Sequence, residues 1–249
     1  MTHFEEEIRA QPDILDALLA DRAAEETAVA LAHRDFRLIL SLARGSSDNA
    51  VTFFTYLAGR FLGLPVASVP PSLLSVYTSS MQAQDTLCIG VSQSGESSDV
   101  LEGLRALAAA GATTIALTNR QESSLAQAAE FPLCTHAGEE QAVAASKTFS
   151  SQMMLLARLV ASWSGNETLQ DALAAVPAAM RELLAAPEAI MHLALRLTHA
   201  EGLYVLGRGL SYGPALELAL KLKETSYLHA QAYSSAEFQH GPIAAIDTA

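Results

Sequence analysis

The sequence predicts an α/β protein, a doubly wound parallel sheet with helices on both of its faces. Short apolar runs alternate with longer segments in which apolar residues recur at helical spacing, and this alternation favours parallel strands joined by helices. Two of the apolar runs are followed by serine-rich turns, at the strand ends where such sheets bind ligands. Half of the 249 residues are hydrophobic, which is enough for a sizeable core.

The first domain is predicted over residues 35–165, after a helical segment at residues 1–34 that Pro12 interrupts. Its strands are identified as short apolar runs bounded by turn residues. They are expected at residues 36–42, 66–69, 87–91, 113–118 and 131–135. A helical linker is expected at residues 166–200.

Two proline residues, Pro177 and Pro187, are expected to divide the helices of that linker. Before the linker, another helix is predicted to open within residues 142–150 and to end near residue 162. The small residues at its start would let a ligand approach the backbone, although small residues are also simply good helix formers.

Residues 92–99, with the sequence Ser-Gln-Ser-Gly-Glu-Ser-Ser-Asp, join an apolar run to an amphipathic helix. The start of a helix has unpaired backbone N–H groups and the positive end of the helix dipole, so with added hydroxyl groups it suits an anion such as phosphate. The alternative is an ordinary capping box. One cap needs one serine, whereas four serines lie within residues 92–98, and phosphate binding is therefore the preferred interpretation.

A partial second copy of the α/β unit is predicted at residues 201–249. Arg208-Gly209 aligns with Arg44-Gly45, Ser211 aligns with Ser47, and a helix with apolar spacing follows in both copies. The counterpart of the serine-rich loop would fall beyond residue 249. We therefore expect the second copy to be incomplete. Either the chain is truncated or another chain completes that sheet, and truncation is the preferred interpretation because a half-domain would expose strand edges and apolar surface.

Glu217, Lys221 and Glu224 are spaced four and three residues apart, which places them on one face of a predicted helix. The common alternative is a solvated ladder of salt bridges. Against that alternative, the neighbouring Ala219 and Leu222 leave little room for a purely exposed helix.

His240 precedes a Gly-Pro pair and is expected on a turn. Taken alone, such a histidine is more often a surface residue than a catalyst. Near a phosphate-binding loop, a carboxylate and an imidazole suit proton transfer on a sugar phosphate. The carboxylate would move a proton between adjacent carbons, and the imidazole would help to open the sugar ring.

Composition excludes several other functions. The net charge of −12 argues against a nucleic-acid surface. The histidines show no metal-ligand spacing, and Cys88 and Cys134 lie in apolar runs as expected of buried packing residues. No apolar run reaches membrane-spanning length and no signal peptide opens the chain, so no membrane partner is expected and the predicted location is cytoplasmic.

From about residue 34 onward these motifs resemble the sugar-isomerase (SIS) domain family, which implies a flavodoxin-like sheet. Residues 92–97 look like the phosphate loop of that family. Residues 221–230, with Glu237 and His240, are similar to the isomerase half of glucosamine-6-phosphate synthases, which has two SIS units in tandem. The turn at residues 44–49 departs from the Cys-Gly-Thr-Ser of those synthases and resembles stand-alone SIS glucosamine-6-phosphate deaminases.

The resemblance implies a role for each matching residue. Glu224 would shuttle the proton between C1 and C2, with Lys221 and Glu217 nearby. His240 would serve ring opening in the active site of a neighbouring subunit, which implies a homodimer with a shared site. The phosphate would be held by Ser92, Gln93, Ser94 and Ser97, and the sugar would be lined by Ser47, Val143 and Ala145, the last standing where synthases usually have serine.

The predicted partner is thus a small sugar phosphate, and no cofactor and no metal are expected. The main functional prediction is a glucosamine-6-phosphate deaminase that releases fructose 6-phosphate and ammonia. One alternative is the isomerase part of a glutamine–fructose-6-phosphate aminotransferase. The other is a protein that binds a sugar phosphate without turnover.

Overall fold

A computed structural model describes residues 2–77 and 79–246. Its main sheet has five parallel strands in the order β2-β1-β3-β4-β5, which confirms the predicted doubly wound parallel architecture. The strands are β1 (Leu38–Leu42), β2 (Val66–Ser68), β3 (Thr86–Val91), β4 (Thr113–Thr118) and β5 (Phe131–Cys134). The chain reverses the direction of strand addition between β1 and β3, and a crevice therefore opens at the carboxyl ends of these two strands.

Helices cover both faces of the sheet. One face carries α1 (His3–Ala20), α2 (Ala23–Ala32), α3 (Ser46–Phe61) and α7 (Lys147–Ser164), whose apolar side chains form one core cluster with β1, β3 and β4. The other face carries α4 (Ser72–Ser75), α5 (Ser98–Ala109) and α6 (Ser124–Ala128), which form a second cluster. Both faces of β3 are buried, in agreement with its continuous apolar run.

The predicted break at Pro12 is wrong, because α1 runs through this residue. A proline removes the hydrogen bond that its N–H group would donate to the carbonyl four residues earlier. That carbonyl belongs to Ile8, and it accepts a hydrogen bond from Gln11 Nε2 at 3.3 Å instead. Pro12 itself is buried, so its ring contributes to packing while the neighbouring amide replaces the lost donor.

The linker forms α8 (Glu167–Ala185) and α9 (Glu188–Leu197). Pro187 lies at the start of α9 and separates the two helices, as predicted, whereas α8 continues through Pro177. No described helix combines the length and the apolar character needed to cross a bilayer.

The second unit contains β6 (Gly202–Gly207), α10 (Tyr212–Ser226), β7 (His229–Ser234) and α11 (Ser235–Phe238), with β6 and β7 paired in parallel. The predicted repeat is visible in the backbone, because Gly45 and Gly209 both adopt positive φ, at 54° and 61°. Helix α10 packs against α3, and a Cβ on Gly213 would lie 2.6 Å from the carbonyl oxygen of Asn49. This close approach brings the charged face of α10 to the first unit.

Candidate functional site

A cavity of about 290 Å³ opens at the carboxyl ends of β1 and β3, at the lower end of the size range of small-ligand pockets. It lies between the turn after β1, the loop after β3 and the segment before α7. Its lining includes seven of the predicted substrate-binding residues: Ser47, Ser92, Gln93, Ser94, Ser97, Val143 and Ala145. Arg44, Ser46, Val91, Val100, Glu140 and Ala142 complete it. None of these six was named from the sequence as a substrate-binding residue.

The serine-rich loop presents its hydroxyl groups as donors to the cavity. Ser92 Oγ accepts a hydrogen bond from the Gly95 N–H group at 3.2 Å, and Ser94 Oγ accepts one from the Glu96 N–H group at 3.2 Å. A hydroxyl group has one proton to donate besides its lone pairs. Because each oxygen is already an acceptor, its proton is free to be donated to an oxyanion.

Ser47 follows the same pattern on the opposite wall. Its hydroxyl oxygen accepts a hydrogen bond from Gln152 Nε2 at 3.1 Å, and both residues are buried. The O–H group of Ser47 is therefore available to a ligand in the cavity. Gln152 lies on the apolar helix α7, where a polar residue within a buried stripe is a signal that sequence reasoning missed.

Ser97 behaves differently from the other serines of the loop. It is the N-cap residue of α5, but its side chain makes no capping hydrogen bond, and its hydroxyl group donates to Asp99 Oδ1 at 2.9 Å. Arg44 contacts the other oxygen of that carboxylate. This guanidinium, together with Ser97, holds the pKa of Asp99 below its ordinary value.

The segment before α7 forms the remaining wall of the cavity. The helix begins at Lys147, within the predicted stretch 142–150, and residues 141–146 before it are irregular. Glu140 explains this boundary, because its carboxylate accepts hydrogen bonds from the Ser146 N–H group at 2.7 Å and from the Thr148 hydroxyl group. An anion at a helix N-terminus is favoured by the helix dipole.

Glu7 on the N-terminal helix anchors the same wall. Its buried carboxylate accepts hydrogen bonds from the N–H groups of Gln141 at 2.5 Å and Ala142 at 3.3 Å. Lys147 Nζ lies 3.4 Å from Glu7 Oε1 and donates to the carbonyl oxygen of Glu139 at 2.6 Å. Helix α1, to which no function was assigned from the sequence, therefore holds the wall of the cavity that carries Val143 and Ala145.

Replacing Glu7 with alanine is expected to destabilise the protein and to weaken ligand binding. The substitution leaves two backbone N–H groups without their acceptor and the buried Lys147 ammonium without its carboxylate partner, and breaking a buried pair in this way costs about 3 kcal/mol. The free energy of unfolding and the affinity for inorganic phosphate, used as a probe of the cavity, are the measurements. Glu6→Ala is the matched control, because Glu6 is exposed on the same helix; equal effects of the two substitutions would contradict this role.

The predicted acid–base residues form one charged cluster on α10. Lys221 Nζ lies 3.2 Å from Glu217 Oε1 and 2.6 Å from Glu224 Oε2, which confirms that the three residues share a helix face. Glu217 is buried, and its other oxygen accepts a hydrogen bond from Asn49 Nδ2 at 2.8 Å. The alternative of a fully solvated ladder of salt bridges is therefore wrong for Glu217 and Lys221.

This cluster borders the cavity without lining it. Lys221 Nζ is 3.5 Å from the hydroxyl oxygen of Ser46, which is a lining residue. The side chain of Glu224 is 32% exposed, so its second oxygen is accessible to a small molecule. The fold thus brings the charged face of the second unit to the rim of the cavity built by the first.

His240 is exposed at the turn after α11, where its backbone N–H group donates to the carbonyl oxygen of Glu237 at 2.9 Å. It is not among the residues that line the cavity in the same chain.

Cys88 and Cys134 are both buried and free, as predicted. Burial raises the pKa of the Cys88 thiol to about 12 and also raises that of Cys134, which argues against a thiolate nucleophile.

Within residues 2–77 and 79–246, no group of three or more His, Cys, Asp or Glu side chains is arranged to hold a metal ion. The cavity instead offers hydroxyl groups, one guanidinium group and a helix N-terminus, which are typical of an anion site. The fold and the site define a doubly wound α/β protein with a small polar cavity at its switch point.

The chain belongs to the SIS domain family, whose profile matches residues 34–162 and 196–249. It is 37% identical over 242 residues to the glutamine–fructose-6-phosphate aminotransferase (isomerizing) of Aquifex aeolicus. The aligned region covers 97% of this chain and 41% of that relative, so the chain spans less than half of its length.

Solved structures agree with this assignment. A protein of Silicibacter pomeroyi described as a candidate phosphosugar isomerase superposes with a TM-score of 0.92 at 38% identity, covering 97% of this chain and 74% of that one. The C-terminal domain of the glucosamine-fructose-6-phosphate aminotransferase of Francisella tularensis superposes with a TM-score of 0.87 at 28% identity, covering 99% and 73%. A glucosamine-6-phosphate deaminase of Thermotoga maritima, at 24% identity and a TM-score of 0.79, shares the fold.

Proposed function

We propose that this chain binds a hexose 6-phosphate and acts as the isomerase unit of a glutamine–fructose-6-phosphate aminotransferase. The observation that carries the proposal is the position of the Glu217–Lys221–Glu224 cluster at the rim of a cavity lined by serine hydroxyl groups. The similarity to the Aquifex aeolicus aminotransferase over nearly the whole chain supports this direction above the deaminase first predicted from the sequence.

The phosphate is assigned to the serine-rich loop and the start of α5. Ser92 and Ser94 have hydroxyl protons free to donate, and Ser97 can turn its own from Asp99 to the ligand. Charge-assisted hydrogen bonds of this kind are the strongest that hydroxyl and N–H groups make. Ser47, Val143 and Ala145 would then face the sugar carbons from the other walls.

The chemical step assigned to Glu224 is a proton transfer between neighbouring carbons. In the open-chain ketose or its imine, a base removes a proton from C1, the electron pair forms the C1–C2 double bond, and the pair of the C2=O or C2=N double bond moves to the heteroatom, which takes up a proton. In the second half O1 loses its proton, the C1=O double bond forms, and C2 receives a proton from the same carboxyl group, whose proton exchanges with water between the two halves. A single carboxylate serves both halves of this step. Lys221 bridges Glu224 to Glu217 and so fixes the orientation of the base at the rim of the cavity.

A glucosamine-6-phosphate deaminase is the second candidate. The observation that favours it is the Arg44-Gly45-Ser46-Ser47 turn, which resembles stand-alone deaminases of this family. The two candidates share one equilibrium, since fructose 6-phosphate and ammonia give glucosamine 6-phosphate and water in the reverse reaction. They differ in the source of the nitrogen rather than in the proton transfer.

The test offers the protein fructose 6-phosphate with glutamine or with ammonium chloride as separate donors, and glucosamine 6-phosphate alone. Formation of glucosamine 6-phosphate from glutamine supports the aminotransferase, whereas interconversion only with free ammonia supports the deaminase. Tight binding of the sugar phosphates with no product in any of the three assays would show the non-catalytic alternative to be correct.

The active site is proposed to be shared between two subunits. We assign ring opening to His240 of a neighbouring subunit, which makes the functional unit a homodimer with shared sites. The exposure of His240 and its absence from the cavity lining of its own chain support this assignment.

A further inference from the structure

We infer that Arg44 is a phosphate-binding residue of the cavity, held in place by Asp99. This inference rests on the proposed function and adds to it a residue that was not assigned to the site from the sequence. Arg44 is the second residue after β1 ends at Leu42, and it lines the cavity together with Ser92, Ser94 and Ser97.

The guanidinium group is oriented by one carboxylate. Arg44 Nε and Nη2 donate hydrogen bonds to Asp99 Oδ2 at 3.0 Å and 2.7 Å. Ser97 Oγ donates to the other oxygen, Asp99 Oδ1, at 2.9 Å. These bonds use one edge of the planar guanidinium group. The remaining nitrogen, Nη1, makes no hydrogen bond within the described residues, so it retains its donors for a ligand.

The Arg44–Asp99 ion pair adds little to the stability of the fold. The side chain of Arg44 is 57% exposed and that of Asp99 is 29% exposed, and exposed ion pairs of this kind contribute little to folding. A guanidinium group held at the mouth of an anion cavity is, however, prepared to bind phosphate, because little side-chain entropy is lost when the ligand arrives.

The formal charges of the lining residues also favour a phosphate-binding role for the Arg44 guanidinium. Among the described residues that line it, Arg44 carries the only formal positive charge, and Glu140 carries a negative one. The carboxylate of Asp99, at the start of α5, would also oppose a phosphate dianion if it were unpaired. Arg44 therefore neutralises Asp99 with one edge and offers the other edge to the ligand.

The same arrangement gives Ser97 a defined part in binding. In the free protein its proton is donated to Asp99. When phosphate binds, Ser97 can donate to the phosphate instead, because Arg44 continues to satisfy the Asp99 carboxylate. The pair thus lets the N-cap hydroxyl group of α5 change partner without leaving a carboxylate unpaired.

The test measures the affinities of glucose 6-phosphate and inorganic phosphate by calorimetry for the wild type, Arg44→Ala, Asp99→Asn and the double variant. Loss of one charge-assisted hydrogen bond and one charge is expected to weaken both ligands about tenfold or more in Arg44→Ala. Arg105→Ala is the matched control, because Arg105 is exposed on α5, outside the cavity lining, and is expected to change affinity less than twofold.

The double variant separates direct binding from neutralisation. If Arg44 contacts the phosphate, the double variant remains about tenfold weaker than Asp99→Asn alone. Recovery of wild-type affinity in the double variant, or equal affinity of Arg44→Ala and Arg105→Ala, would overturn the inference while leaving the proposed function intact. Failure of the wild type to bind either ligand would overturn both.

Discussion

Replacing Glu224 with glutamine is expected to reduce the rate of isomerisation by roughly 10² to 10⁴, the range that a positioned general base contributes. The amide has nearly the shape of the carboxylate but does not accept the proton from carbon. Lys221 keeps its contact with Glu217, so the helix face retains its ion pair. The measurement is kcat with fructose 6-phosphate and a nitrogen donor, together with the affinity for the same sugar phosphate.

The affinity is expected to stay within about threefold of the wild type, since one rim contact is altered and the phosphate contacts are not. Glu182→Gln serves as the matched control. Glu182 is exposed on α8 and lies outside the cavity lining, and its substitution removes the same charge. A Glu224→Gln protein with wild-type kcat would exclude Glu224 as the base.

The second large effect is expected at Gly95, in the middle of the serine-rich loop. This residue has φ of +67°, and a Cβ there would lie 2.2 Å from Ser123 Oγ and 2.4 Å from Ser123 Cβ. Ser123 is buried and caps α6 through the Ala126 N–H group, so it has little freedom to move. Alanine at position 95 must therefore displace the loop.

The displacement is expected to cost about 3 kcal/mol of folding free energy from strain and overpacking together. It also displaces the hydroxyl donors of the proposed phosphate site, and the loss of two charge-assisted hydrogen bonds corresponds to roughly a hundredfold weaker binding. Thermal unfolding and phosphate calorimetry measure the two effects.

Gly165→Ala separates strain from displacement. Gly165 has φ of +63° at the end of α7, but a Cβ there meets nothing within 4 Å. This substitution is expected to cost about 1 kcal/mol, with unchanged phosphate affinity. If Gly95→Ala binds phosphate as the wild type does, the loop is not the phosphate site.

The sequence was sufficient to predict the sheet because each signal was local. The apolar runs at β1, β3 and β4 and the turn residues between them define strands and helices without reference to distant parts of the chain. The repeat was equally local, since an Arg-Gly pair recurs after two apolar strands and both glycines adopt positive φ. The helix face of Glu217, Lys221 and Glu224 followed from spacing alone.

The contacts that shape the cavity could not be predicted in this way, because they join residues far apart in the chain. Glu7 reaches Gln141, Gln152 reaches Ser47, and Asn49 reaches Glu217. The helix break at Pro12 was mispredicted for a different reason. The side-chain amide of Gln11 donates to the Ile8 carbonyl oxygen in place of the missing proline N–H group, and propensity rules do not include such local replacements.

The proposed role of Glu224 is to move a proton on a sugar phosphate held in the cavity beside it. Deuterium incorporation from D₂O into fructose 6-phosphate tests this directly, because the step is observed without any nitrogen donor. Wild-type protein is expected to introduce deuterium at C1 of the ketose and at C2 of the aldose product, and Glu224→Gln is expected to introduce none while binding the sugar phosphate normally. Equal incorporation by both proteins, or none by a wild type that binds the ligand, would contradict the claim.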